Sequence, residues 1–219
     1  MKNQPLSEKV YQQLRHRIHD LAYLPGETIV EARLAEELKT SRTPVREAFR
    51  RLQSEGLIEH RPGTSFRIAK VTQAQALEAL RIRCALEPLG AELAASRVAS
   101  QEIEHAEALL SERESYIASK RPASYSTRDY LQVQRMGQAF HNVVLDAAKS
   151  PLLSFIITNY LWPTWLSGYD SVTLEWLRRS VREHRGILEA ITRGDAKDAR
   201  RAMRLHLEAS LRTMEGPTS

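Results

Sequence analysis

The chain has 219 residues, of which 42% are hydrophobic and 27% charged, enough apolar material for one or two domains with a real core. No apolar run approaches the roughly 18 residues of a membrane span, and the opening stretch MKNQPLSEKVYQQL lacks the apolar segment of a secretion signal. The net charge is +5, and the single cysteine, Cys84, excludes an intrachain disulfide scaffold and suits a reducing cytoplasm. Charge is unevenly spread. Residues 1–70 carry 13 lysines and arginines against 9 acids, while the remainder carries 19 against 18, which suggests a polyanion-binding module joined to something else.

In chain order, residues 6–20 place Val10, Leu14, Ile18 and Leu21 at helical spacing, and Leu24-Pro25-Gly26 is a turn signal that ends this helix. A short helix over 31–38 turns Leu34, Ala35 and Leu38 inward. The third begins in TSRTPVREAFRRLQSEG, with Ser41 or Thr43 as cap and Pro44 in the first turn, where its missing N–H costs nothing. Val45, Ala48, Phe49 and Leu52 form its inward stripe, and Gly56 stops it as a left-handed residue would. LIEHRPGTSFRIA then reads as two short strands around Arg61-Pro62-Gly63-Thr64.

Beyond residue 71 the strong patterns are all helical, near 73–97, 101–119, 124–148, 152–167, 171–193 and 195–214. The expected fold class is mostly α, with a winged helix-turn-helix over 1–71 followed by an all-α antiparallel six-helix bundle over 72–219. Cys84 falls in an apolar helical stretch as a core filler. Trp162 and Trp165, with Tyr160 and Tyr169, form an aromatic cluster more consistent with core or dimer packing than with a ligand box.

The third helix carries the chemistry of DNA reading. Arg42, Arg46 and Arg50 recur every four residues and share the face opposite Val45, Phe49 and Leu52. An arginine fork can bond guanine O6 and N7 together. Thr43 and the free amides of the first turn suit phosphate, and Arg61 and Gly63 at the hairpin tip suit the backbone or the minor groove. Alone, such a stripe is equally a solvated face with Arg46 and Arg50 flanking Glu47. Joined to the turn, the first-turn proline and the hairpin, it points to a recognition helix.

Those residues also carry a resemblance. PLSEKVYQQLRHRI, LPGETIVEARLAEELKTSRTPVREAFRRLQSEGLIE and the following RPG resemble the N-terminal domain of the GntR family of transcription regulators across residues 5–68. The resemblance implies that Arg42, Thr43, Arg46 and Gly63 touch DNA. One departure is that Lys39-Thr40 stands where the family usually has Gly-Val, so the turn should survive with modest strain if Lys39 adopts positive φ.

Three of the seven histidines lie on apolar helix faces: His141 with Val144, Leu145 and Ala148; His184 with Val181, Leu188 and Ile191; His206 with Ala199, Ala202 and Met203. They read either as hydrogen-bonded core residues or as a metal site, since three neutral imidazoles plus water suit zinc or another borderline ion. His16, His19, His60 and His105 carry no assignment. RIRCALEPLGAELAA, AFHNVVLDAA and EHRGILEAITRGDAKDARRAMRLHL resemble the helical effector domain (FCD type) of FadR-like GntR regulators. That resemblance implies that His141, His184 and His206 bind a divalent metal, zinc or nickel, which helps hold a small organic acid. In that family a carboxylate ligand usually sits one turn before the first histidine, and here that position is Gly137. Arg83 matches a position that often faces the effector carboxylate, although it can equally pair with Glu87 at i, i+4.

The expected function is therefore a homodimeric repressor on a palindromic DNA operator, governed by an organic acid, with no membrane partner. Two alternatives are a metal-responsive regulator and a three-histidine hydrolase. Against the latter, the acid nearest the cluster, Glu183, should point elsewhere on its helix.

Overall fold

The computed structural model describes residues 5–19, 22–61, 65–120, 125–160 and 173–216. They divide into two compact units, Met1–Val71 and Thr72–Ser219.

The first unit holds α1 (Leu6–His19), β1 (Thr28–Val30), α2 (Glu31–Glu37), α3 (Arg42–Ser54), β2 (Ile58–His60) and β3 (Ser65–Ile68). Its core follows the sequence pattern. Val10, Leu14 and Ile18 of α1 and Val45, Ala48, Phe49 and Leu52 of α3 are buried, and Phe49 meets Phe66 edge-on at 4.6 Å. Leu21 lies outside the described residues, and Leu38 is only partly buried. Three helices and a small antiparallel sheet in the order β1-β3-β2 make a winged helix-turn-helix.

The strand β1 is an addition to the sequence reading, which found only the β2–β3 hairpin. Thr28, Ile29 and Val30 pair with Arg67, Phe66 and Ser65, and only Ile29 is buried. Three residues with a single inward side chain are too few for alternation to be seen; the partner strand far along the chain supplies the order.

Helix ends decide how α3 is presented. Gly56 has φ +71 and completes α3 with bonds from Gly56 N–H to Gln53 O and from Leu57 N–H to Leu52 O. The same two-bond motif closes α2, from Lys39 N–H to Glu36 O at 3.0 Å and from Thr40 N–H to Ala35 O at 2.9 Å. There the left-handed residue is Lys39, at φ +50, the strained conformation anticipated for this turn. Tyr11 then locks α1 to the end of α3: its hydroxyl donates to Glu55 at 2.7 Å under the Arg51 guanidinium. Burial, together with that acceptor, pushes the Tyr11 phenol up to about 12.

The second unit contains α4 (Gln73–Ala95), α5 (Ser100–Ser119), α6 (Thr127–Ala147), α7 (Pro151–Tyr160), α8 (Leu174–Thr192) and α9 (Ala196–Glu215). Thr72, Ser126, Thr173 and Asp195 each accept a first-turn backbone N–H, so four of these helices begin at side-chain caps. The last helix runs antiparallel along the first, with Gln73 bonded to Met214 O and Glu92 paired with Arg200. Between the helices lie Ala91, Ala94, Phe140, Val144, Ile187, Ile191, Met203 and Leu207, with Cys84 packed against them. Trp162, Trp165 and Tyr169 lie outside the described residues, as does any continuation of α7 past Tyr160.

Candidate nucleic-acid interface and histidine cluster

In α3 the apolar face fixes the direction of the other. With Val45, Ala48, Phe49 and Leu52 turned into the core, Arg42, Thr43, Arg46 and Arg50 are all exposed along the opposite side. Ser41 caps the helix by position but its hydroxyl makes no capping bond, so first-turn amides stay available for an anion. Among the described residues Arg42 and Arg50 pair with no acid, and Glu47 holds neither Arg46 nor Arg50.

Arg46 has a partner from another helix. Its Nη2 and Nε donate to Glu31 Oε2 at 3.2 and 3.4 Å, and Glu31 is buried at the start of α2. The arginine side chain stays 52% exposed, so the pair orients the guanidinium without hiding it. Glu31 was not singled out in the sequence, where an acid at a helix start reads as a dipole partner. At the hairpin, Arg61 is partly buried and its Nε–H finds no hydrogen-bond partner among the described residues. Gly63, at the tip, lies outside them.

In the helical unit His141 (α6), His184 (α8) and His206 (α9) meet, with one ring nitrogen from each lying within 4.8 Å of the others. All three are buried. His141 Nδ1–H donates to Glu87 Oε2 at 2.6 Å, and Glu87 in turn holds Arg83, the i, i+4 pairing open to Arg83 in the sequence. Burial would raise the Glu87 carboxyl, but the Arg83 guanidinium and His141 hold it well below the usual carboxylate range. Burial brings His141 down to about 4 and drives His184 well below the ordinary histidine value, so both rings are neutral at pH 7.

One further residue reaches the cluster. Arg113 of α5 is 1% exposed, on the buried stripe Ala106, Leu110, Arg113 and Ile117. That stripe was readable in the sequence, but the arginine on it was passed over. Its Nε donates to Val133 O at 3.1 Å, Nη1 to His184 Nδ1 at 3.1 Å, and both terminal nitrogens reach the Ser180 hydroxyl at 3.3 Å. Burial lowers its pKa to about 10, which still leaves it charged at neutrality. It lies against Gly137: a Cβ there would sit 3.1 Å from Arg113 Cζ.

An arginine can only donate. His184 Nδ1 therefore accepts, its proton sits on Nε2, and that N–H donates to His206 Nε2 at 3.0 Å. His206 Nδ1–H then donates to Glu183 at 2.7 Å, so the acid expected to point away is bonded to the cluster through its neighbour helix.

This donor set is half suited to a metal ion. His141 and His206 have the carboxylate-backed Nδ1–H that orients a ligating imidazole. His184 has the opposite: a cationic donor at Nδ1, which fixes the proton on the nitrogen a metal would need. The position expected to bring a carboxylate ligand is Gly137, overlain by that same guanidinium.

Comparison with known proteins follows the division into units. Residues 6–68 match the family model of bacterial regulatory proteins, gntR family, and residues 78–209 match the FCD domain model. The Uxu operon transcriptional regulator of Escherichia coli is 28% identical over 232 residues, covering 95% of this chain and 88% of that protein. The E. coli transcriptional repressor RspR is 27% identical over 208 residues, covering 94% and 87%. Among solved structures, E. coli McbR/YncC superposes with a TM-score of 0.76 at 22% identity over 96% of this chain and 97% of that one, a likeness of fold.

Proposed function

The chain belongs to the GntR family of bacterial regulatory proteins, with an FCD domain as its second unit, and on that basis we propose that it is a repressor of the FadR-like branch, binding a palindromic operator as a homodimer and released by a small organic acid. It is a transcriptional regulator and not an enzyme, which sets aside the hydrolase alternative. The observation that carries the proposal is the exposed row Arg42, Arg46 and Arg50 on a helix that follows a tight turn.

In this reading Arg42, Arg46 and Arg50 read base edges in the major groove, Thr43 and the first-turn amides hold phosphate, and Arg61 and Gly63 approach the flanking backbone. Two such helices about one DNA turn apart read the half-sites. A homodimer is supported by apolar side chains left exposed on α4 and α7, Ile82, Leu89, Leu152 and Phe155. No helix of the described residues is long and apolar enough to cross a membrane. The DNA-binding reading assigns the work of the protein to the cytoplasm, at the DNA.

The helical unit is assigned the effector. An acid bound there with different affinity in two arrangements of the dimer shifts operator affinity by that difference. Arg83 is assigned a contact to the effector carboxylate, supported by its burial beside the cluster, with its charge shared by Glu87. A metal-containing form of the reading puts zinc or nickel on His141, His184 and His206, supported by the convergence of the three rings; there His184 must exchange its tautomer and Arg113 must withdraw. A regulator responsive to the metal alone is the remaining alternative, recognised by operator binding that follows zinc or nickel and ignores organic acids.

Gel shifts test the DNA-reading helix. Arg42→Ala and Arg46→Ala should each weaken operator binding by about 1–3 kcal/mol, and affinity should fall steeply with salt. Unchanged affinity in the double variant removes α3 as the recognition helix.

A further inference from the structure

Arg113 is a buried cation with which no carboxylate of the described residues pairs. Among the described residues its five N–H groups make four contacts, two of them long and shared on the single Ser180 hydroxyl, which leaves one donor over. Arg83, by contrast, has its charge met by Glu87. A buried guanidinium loses its hydration, which an oppositely charged partner normally offsets.

The place it occupies is equally telling. The missing Cβ of Gly137 leaves the room in which the guanidinium lies. From there it donates to His184 and sets the direction of the relay through His206 to Glu183, using the ring lone pair that a metal-ligating tautomer would have to protonate. A divalent cation here would meet a fixed positive charge, lack a carboxylate ligand and lose one of three nitrogen donors.

We infer that the cluster is an oxyanion site in which the Arg113 guanidinium serves as the cationic pole in place of a metal ion, and that the ligand is a small carboxylate taken in bidentate fashion as Ser180 gives way. This rests on the reading of the helical unit as the effector-binding part of the regulator. A planar fork facing a planar carboxylate gives two charge-assisted bonds, and the ring nitrogens of the surrounding histidines supply further polar contacts.

The test uses the full chain as purified. Metal content is measured by elemental analysis, and melting is followed with formate, acetate, malonate and succinate, each with EDTA and with added zinc. The expected result is no stoichiometric metal, together with a carboxylate-dependent rise in Tm that is the same in EDTA. In Arg113→Met the carboxylate affinity should drop roughly tenfold or more, the scale of a lost charge-assisted bond. Arg113→Lys, which keeps the charge but not the fork, should retain part of it. The double variant Arg113→Met/Gly137→Asp, which restores a fourth ligand and removes the cation, should acquire zinc.

Stoichiometric metal in the wild type, or a response that EDTA abolishes, overturns the inference, and neither measurement depends on a variant folding. A response fully retained in Arg113→Met overturns it as well. If no carboxylate moves Tm under any condition, both the oxyanion site and the organic-acid effector fall, while operator binding in a gel shift leaves the DNA-reading assignment standing.

Discussion

Replacing Lys39 by glycine should make the first unit more stable. Lys39 sits at φ +50 between α2 and α3, held there by the two bonds that close α2. A left-handed conformation costs an L-residue about 1–2 kcal/mol. Glycine removes that strain but gains freedom in the unfolded chain, an offset of roughly 0.5–1 kcal/mol. Taking the middle of each range, the net gain for Lys39→Gly is about 0.75 kcal/mol, and a domain of this size shifts by roughly 4–8 °C per kcal/mol, giving a rise of about 3–6 °C. Calorimetry of the full chain reads this on the transition that bound operator DNA raises. Lys39 is exposed, so losing its side chain removes little packing. Lys39→Ala keeps the Cβ and should keep the strain, with no comparable gain. If the alanine variant rises as far as the glycine variant, or if glycine leaves Tm unchanged, backbone strain is not what this turn stores.

Two glycines on the bundle helices should respond oppositely to alanine. At Gly186, nothing lies within 4 Å of an added Cβ, so helix propensity alone acts and Gly186→Ala should stabilise by roughly 0.5–1 kcal/mol in denaturant titration. Gly137→Ala pushes a methyl against the buried Arg113 guanidinium and should destabilise; equal gains from both would contradict the packing described. Glu31→Gln releases Arg46 from its ion pair and should lower the ratio of operator to non-operator affinity by about 0.5–1 kcal/mol in competition gel shifts, whereas an unchanged ratio would reduce Glu31 to a structural residue. Acid should weaken the fold early. His141 and His184 stay neutral in the native state below their ordinary value of 6.5, so as pH falls from about 6.5 toward 4 the unfolded chain binds protons first. Stability should fall by up to about 1.4 kcal/mol per pH unit for each ring, and should be flat in this respect above 6.5. Denaturation midpoints that hold from pH 7.5 to 5 would show the rings to be accessible in the native state.

Helices were the legible part of this chain because a buried stripe repeating every 3.6 residues leaves its mark on the residues themselves. Val45, Ala48, Phe49 and Leu52 announced both the helix and the outward direction of the arginines. Pairing across the chain leaves no such mark. Ile29 found its place only through Phe66, and Glu31 reaches Arg46 only because α2 and α3 pack together. The histidines were found because polar residues on apolar faces stand out. Arg113 met the same criterion but was missed, since a long basic side chain on a helix is usually read as reaching for water.

Closing the helical unit by laying α9 along α4 has a consequence for biosynthesis. Met203, His206 and Leu207 complete an interior begun more than a hundred residues earlier, so a ribosome must release the chain through Leu207 before that interior can shut. The winged head, finished by Ile68, can be whole while the rest is still being made. Nascent chains halted before Ala196 should thus carry a formed head and an open, protease-sensitive tail.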